Sequence, residues 1–442
     1  MPYAIPVPPI PSHPLMLFLL QVGVLLLMAV ALGRLAARFG MPAVVGELCT
    51  GVILGPSLLS PVWPELHSAL FPPVAEQFHL LDAVGQIGVL LLVGITGVHL
   101  DSGLVRRMGA RPASVSFFGM IIPFGLGIGT GLLLPPALIG GEVDTTVFAL
   151  FLGVAMCVSA IPVIAKTLFD MNFMHREIGQ ITLAAGMVDD AFGWFMLSVV
   201  SAMATSQLRA GSVLFSLGAM AAVVALAMVL GRPLTRRIYR MADRSPDTWL
   251  QIPITVVLVL LCAAGTHALG MEAIFGAFLC GILIAGHGKG IVTKLAPLRT
   301  IVLGVFAPIF FATAGLRMNL TALGRVDVLV MALVVLAIAI VGKFAGAYVG
   351  ARLGRMGHWH GLALGAAMNA RGVIEVIVAM AGLRLGVLNV ETYTIIILVA
   401  VITSLMAPPL LRWAMARIEV TPLEEERMPV TAAAGSGSLT VL

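Results

Sequence analysis

The chain has 442 residues, 60% of them apolar and only 11% charged, where an ordinary soluble domain carries about 25% charged residues. Its net charge of +5 is spread between apolar runs, which makes it a topology signal and argues against a nucleic-acid partner. Runs of ~20 apolar residues recur along the whole length, strand-like alternation is absent, and a backbone in lipid must satisfy its own hydrogen bonds. An all-α polytopic membrane protein follows.

Thirteen spans are predicted. The Pro-rich N-terminus lacks the basic residues of a signal peptide, so the first apolar run, 15–33, reads as a retained span. Span 2 (42–60) opens Met41-Pro-Ala-Val-Val-Gly-Glu-Leu-Cys-Thr-Gly-Val-Ile53. Its Glu47 is placed to line an entry path or to support packing. Spans 3 and 4 cover 82–100 and 113–135. Span 5 (146–168) contains Cys157-Val-Ser-Ala-Ile-Pro162, whose proline frees a backbone carbonyl. Span 6 (177–203) carries Gly186-Met-Val-Asp-Asp-Ala-Phe-Gly193 at its middle. Spans 7 and 8 cover 211–231 and 249–268. Span 9 (272–287) belongs to Met271-Glu-Ala-Ile-Phe-Gly-Ala-Phe-Leu-Cys-Gly-Ile-Leu283. Span 10 covers 299–317. Span 11 (326–351) holds Lys343 within Ile340-Val-Gly-Lys-Phe-Ala345, and span 12 (359–385) contains Asn369-Ala-Arg-Gly372. Span 13 covers 391–413. Cys49, Cys157, Cys262 and Cys280 all lie in apolar runs without metal-ligand spacing and read as small buried residues.

With this count, alternate connections collect most of the basic residues. They hold Arg34 and Arg38, then Arg106, Arg107 and Arg111, then Lys166 and Arg176, then the five arginines of 232–244. Lys289, Lys294, Arg299, Arg352, Arg355, Arg412, Arg417 and Arg427 continue the series, while the opposite side receives only Arg209, Arg317, Arg325 and Arg384. The positive-inside rule then puts the N-terminus outside and the C-terminus in the cytoplasm of a cell membrane.

Spans 2 and 9 align at Met41/Met271, Ala43/Ala273, Gly46/Gly276 and Gly51/Gly281. The following spans end alike, in Gly97-Val-His-Leu-Asp101 and Gly315-Leu-Arg-Met-Asn319. Partners seven spans apart are inverted across the membrane, as in secondary transporters. Spans 5 and 12 then correspond, and both are interrupted. Interrupted spans at matching positions are the best sequence pointer to a transport site.

Few ionisable residues remain at membrane depth: Glu47, Asp189, Asp190, Lys343, Arg371 and Glu375. Each costs at least ~2.5–3.5 kcal/mol at a helix centre. Asp189 and Asp190 point roughly 100° apart on one helix, so one can meet a cation at the broken spans while the other meets a base. Two close carboxylates resist ionising together, so the pair can hold either protons or a hard monovalent cation. Lys343 pairs most simply with Asp189. Arg371 and Glu375 stand at i, i+4 and pair within span 12 or act directly.

Several blocks in this order resemble the monovalent cation:proton antiporter-2 family, with its NapA-like, Kef-type and plant CHX-type branches. They are Gly46-Glu-Leu48, Gly55-Pro-Ser57, Ser159-Ala-Ile-Pro-Val-Ile-Ala165, the Asp189–Asp190 pair, Phe310-Phe-Ala-Thr-Ala-Gly-Leu316 and Met368-Asn-Ala-Arg-Gly-Val-Ile-Glu375. The resemblance implies the fold of NhaA- and NapA-like antiporters, with two inverted repeats and discontinuous crossing helices. It implies scaffold and dimerisation helices in 1–112 and 249–325, core helices in 113–203 and 326–417, and a link through helix 7 and a cytoplasmic loop in 204–248. The segment 418–442 is expected to be a short, disordered tail, and the lack of a large C-terminal domain sets the chain apart from Kef-type ligand gating. The family implies Asp190 and Asp189 as ligands of Na⁺ or K⁺ and of protons, Ser159 as a further oxygen donor, and Lys343 as ion-pair mate. Pro162, Asn369, Arg371, Glu375 and Glu47 would support the broken helices. No cofactor is implied beyond the transported Na⁺ (or K⁺ or Li⁺) and H⁺.

The expected protein is therefore a homodimeric elevator-type antiporter of a bacterial inner membrane, serving pH and cation homeostasis, and not an enzyme. A sodium-coupled organic solute symporter of related fold is the alternative, which would need a larger polar cavity and is disfavoured by the scarcity of charges and aromatics outside the broken helices. An intramembrane aspartyl protease needs aspartates converging from two helices, which an adjacent pair cannot supply.

Overall fold

A computed structural model describes residues 9–99, 110–135, 138–140, 143–205, 218, 220–245, 247, 249–287, 290–422 and 424. Among them every long element is a helix. In chain order these are α1 (Ser12–Arg38), α2 (Ala43–Leu54), α3 (Ala75–Val98), α4 (Ala110–Leu133), α5 (Thr145–Cys157), α6 (Ile161–Asp170) and α7 (Glu177–Thr205). They continue as α8 (Arg232–Ala242), α9 (Gln251–Ala268), α10 (Ala273–Ala285), α11 (Ala307–Gly315), α12 (Val326–Leu353), α13 (His358–Met368), α14 (Val373–Arg384) and α15 (Val390–Met415).

Nine helices among the described residues are long and apolar enough to cross a membrane, or ten if α13 and α14, bent by 45°, form one span. Spans 5 and 9 of the sequence analysis fall on shorter helices: α5 and α10 have 13 residues each. Of span 7, residues 218 and 220–231 are described and helical, running on into α8, while 211–217 and 219 lie outside the described residues. Outward faces are apolar, with Leu27 72%, Leu261 64% and Val341 61% exposed, as lipid-facing helices require.

The sequence repeat reappears as repeated packing. Gly40 (φ +71°) ends α1 with its amide on the Ala37 carbonyl and the Met41 amide on Ala36, each at 3.0 Å. Gly270 (φ +77°) ends α9 the same way, on His267 at 2.9 Å and Thr266 at 3.0 Å. Both are left-handed glycine caps that return the chain at once into the next helix. The matched glycines then let backbones touch. A Cβ at Gly51 would lie 2.0 Å from the Ala312 carbonyl oxygen, and one at Gly281 would lie 2.1 Å from that of Gly94. Reciprocally, a Cβ at Gly315 would meet the Leu48 oxygen at 2.2 Å and one at Gly97 the Phe278 oxygen at 2.6 Å. So α2 packs on α11 as α10 packs on α3. Small residues at the contact are what close helix approach in lipid needs.

Elsewhere α4 and α12 run against each other, with the Cβ positions of Gly346 and Gly350 each 2.4 Å from carbonyl oxygens of α4. Between them and α7 lie the two interruptions. The first, 158–160, separates α5 from α6, and Pro162 falls in the first turn of α6, where no intrahelical donor is needed. The second, 369–372, separates α13 from α14 at Gly372 (φ 154°). The Ala160 amide donates to the Ala370 carbonyl at 3.1 Å, so the two breaks lie against each other.

Candidate functional site

A helix that stops in apolar surroundings leaves its last carbonyls without donors. At the end of α5 two side-chain cations supply them. Arg371 donates to the carbonyls of Ala155 at 3.0 Å and Met156 at 2.6 Å, and Lys343 donates to that of Cys157 at 2.5 Å. Positive charge also suits the negative end of the helix dipole. Arg371 further donates to the Ala339 carbonyl of α12 at 3.1 Å and to Glu375 at 3.3 Å. Its own carbonyl accepts from the Ser404 hydroxyl of α15. One guanidinium thus ties α5, α12 and α14 together.

Lys343 stands one turn beyond Ala339, and its ammonium also lies 2.6 Å from Asp189 Oδ2. The same oxygen accepts from Ser159 at 3.1 Å, and Asp189 Oδ1 accepts from Ser116 of α4 at 2.8 Å. The Ser159 hydroxyl also lies 2.9 Å from the Met368 carbonyl at the end of α13; having one proton, it can serve only one acceptor fully at a time. Asp189 and Lys343 are closed to solvent. Each side chain of the pair is therefore held by several groups besides its partner.

Asp190 is different. It is 0% exposed, and neither carboxylate oxygen has a hydrogen-bond partner among the described residues. Both amide atoms of Asn369, in the second break, are likewise buried and without partners, as is Glu375 Oε2. A buried carboxylate with no donor is costly unless a proton or a cation neutralises it. Asp189 is served by three donors; Asp190 by none.

The structure brings Asp189, Ser159 and Lys343 into one hydrogen-bonded cluster and Arg371 with Glu375 into a second, and the two grip successive carbonyls at the end of α5, forming a network across the breaks. Glu47 lies elsewhere. It sits on α2 beside α1, its Cγ 3.6 Å from the Cβ position of Gly33, with no ion pair or hydrogen bond among the described residues. Ser116, Ser404 and the Cys157 carbonyl belong to the network and carry no signal in the sequence, since single serines are common in membrane helices and carbonyls are everywhere.

At the start of α7, residues 418–422 and 424 are engaged, where disorder was expected from 418 onward; 423 and 425–442 lie outside the described residues. Glu424 accepts from the amide of Glu177, the first residue of α7, at 2.7 Å and from that of Thr421 at 2.9 Å. It pairs with Arg176 at 3.2 Å, and Arg176 donates to the carbonyls of Ile418 and Glu419 at 3.0 and 3.1 Å. Burial alone would raise the Glu424 carboxyl, but the two amides and the guanidinium outweigh it and hold it below the usual range.

A family description for the transmembrane part of sodium/hydrogen exchangers matches residues 23–417. The Na⁺/H⁺ antiporter NhaS4 of Synechocystis sp. is 30% identical over 404 residues, covering 90% of this chain and 97% of that protein. Cation/H⁺ antiporter 18 of Arabidopsis thaliana is 29% identical over 394 residues, which is 89% of this chain and 48% of the plant protein. The chain thus spans about half the length of the plant relatives it matches. The structure of the sodium proton antiporter MjNhaP1 from Methanocaldococcus jannaschii superposes with a TM-score of 0.65 over 94% of this chain and 99% of that one, at 14% identity, a likeness of fold.

Proposed function

The chain belongs to the sodium/hydrogen exchanger family, and on that premise we propose that it exchanges a monovalent cation, Na⁺ before K⁺, for protons across a membrane. The observation that carries this reading is the contrast within the adjacent pair: Asp189 is saturated by Lys343, Ser116 and Ser159 while both oxygens of Asp190 have no partner among the described residues. A buried carboxylate of that kind binds a proton or a cation and not both, and this competition is what couples the two fluxes. Asp189 and Lys343 hold the site's shape, with the carbonyls at the breaks supplying further oxygens.

In this reading 113–203 and 326–417 form a moving core, and 1–112 and 249–325 form the scaffold through which two copies associate. Residues 204–248 link them. Thirteen spans, with the N-terminus outside and the C-terminus in the cytoplasm of a bacterial inner membrane, fit the charge alternation and accommodate the nine or ten apolar spans found among the described residues. Neutralising Asp190 by either ion would let the core slide between its two positions, since a ligand shifts such an equilibrium through its differential affinity alone. The family and the names of the relatives lend no support to an organic solute symporter.

Proteoliposomes with a pH-sensitive dye inside test the reading. Addition of Na⁺, Li⁺ or K⁺ is expected to move protons outward against the cation, most strongly with Na⁺. No proton movement with any of the three in correctly inserted protein would sink it.

A further inference from the structure

Helix α8 continues without a break from helical residues 220–231, most of whose apolar side chains face outward, with Leu226 58%, Val229 69% and Leu230 59% exposed. It begins with Arg232 and is lined by Arg236, Arg237 and Arg240, with Arg244 just beyond its end; all five are exposed. None of the five makes an ion pair among the described residues. Of the acids beside them, Asp243 is taken by Lys294 at 2.7 Å, and Asp247 makes no ion pair among the described residues. At 3.6 residues per turn, Arg236, Arg240 and Arg244 form one row, flanked by Arg232 and Arg237. Leu230, Leu234 and Met241, each more than half exposed, form a second row alongside. Thr235, Tyr239 and Ala242 turn inward, Tyr239 bonded to Thr255 of α9 at 2.6 Å. Trp249, 60% exposed, then marks the start of the next apolar helix.

An arginine row beside an exposed apolar row, at the end of a helix that runs on unbroken from the lipid-facing segment 220–231, has the form of a helix end reaching headgroup level. Arg240 donates to the Arg236 carbonyl of its own helix at 3.3 Å, and guanidinium groups with no carboxylate partner match phosphate oxygens in charge and geometry. We infer that this face of α8 binds the headgroups of anionic phospholipids, with Leu234 and Met241 dipping into the acyl boundary and Trp249 at headgroup level. The surface is separate from the ion site and is read without transport.

Purified full chain would be exposed to phosphatidylglycerol and to phosphatidylcholine, with retained lipid counted by native mass spectrometry and thermal stability followed in parallel. The wild type is expected to prefer phosphatidylglycerol and to melt higher in it, both effects shrinking with added salt. In R236Q/R237Q/R240Q/R244Q the preference should vanish. Each lost arginine is expected to weaken anionic-lipid binding about fivefold, about 1 kcal/mol. Should that variant not fold, R236Q/R237Q and R240Q/R244Q each carry the test, with losses of about 25-fold on the same footing. Lysine at all four positions should keep most of the preference. Equal retention of both lipids by the wild type would leave this face to an acidic soluble partner and overturn the assignment. So would a preference that survives in both double variants.

Discussion

Lys343 and Asp189 meet at 2.6 Å with neither side chain exposed, and the same ammonium holds the last carbonyl of α5 through Cys157. The pair is at once a neutralised charge and a strut between α12, α7 and the first break. Removing one member strands the other: Lys343→Met is expected to destabilise by about 3–5 kcal/mol, the usual cost of an uncompensated buried charge. Lys343→Met combined with Asp189→Asn should melt above Lys343→Met alone. Thermal unfolding in detergent decides this, and simple addition of the two single losses would contradict it.

Arg371 is expected to be less replaceable than its ion-pair partner. Its contacts to Ala155, Met156 and Ala339 carbonyls need a planar fork that lysine lacks. Charged hydrogen bonds are worth about 1.5–3 kcal/mol each. Arg371→Lys should therefore lose several kcal/mol, while Glu375→Gln, which gives up one contact of 3.3 Å, loses less than about 2 kcal/mol. The reverse order in paired melting curves would show that the ion pair, and not the grip on α5, is what matters.

The repeated helix contacts predict a contrast between glycines. Gly281→Ala places a methyl 2.1 Å from a backbone oxygen, so α10 and α3 must separate and folded yield should collapse; Gly51→Ala should do the same for α2 and α11. Gly129 on α4 has nothing within 4 Å of its Cβ position, and Gly129→Ala should be neutral or stabilise by up to about 1 kcal/mol through helix propensity. Expression and size-exclusion profiles of the three variants give the answer.

Glu424 caps α7 from 247 residues away, and its carboxyl is held below the usual range. A carboxyl depressed in the folded state adds stability that is present above its unfolded value, near 4.3, and is lost as pH falls through the folded one. Wild type should thus lose stability on acidification below about pH 4.3, and Glu424→Gln should show less of that loss and start about 1 kcal/mol lower at neutral pH. Identical pH profiles for the two proteins would rule out the cap.

The sequence made legible what is rare in a membrane. Asp189, Asp190, Lys343 and Arg371 announce themselves because charge at mid-depth is expensive, and the breaks because Pro162 and Asn369-Ala-Arg-Gly372 interrupt apolar runs. The glycine register of spans 2 and 9 read correctly as a repeat because helix contact by backbone leaves no alternative residue. What the sequence hid has a common cause. The grip of Arg371 on α5 is made to carbonyls, which every residue has, and it exists only because two breaks lie against each other. Glu424 stands in Glu424-Glu-Glu-Arg427, which reads as a solvated charge run until α7 is seen to begin beside it. Glu47 is the converse, a charge at membrane depth that the fold keeps apart from the network.

The central claim is that Asp190 alternates between a proton and a cation. Cation-driven proton movement in proteoliposomes should be abolished by Asp190→Asn, in protein that still inserts and melts as the wild type does. Exchange that persists in Asp190→Asn at the wild-type rate would contradict the account and move the ion site away from this carboxylate.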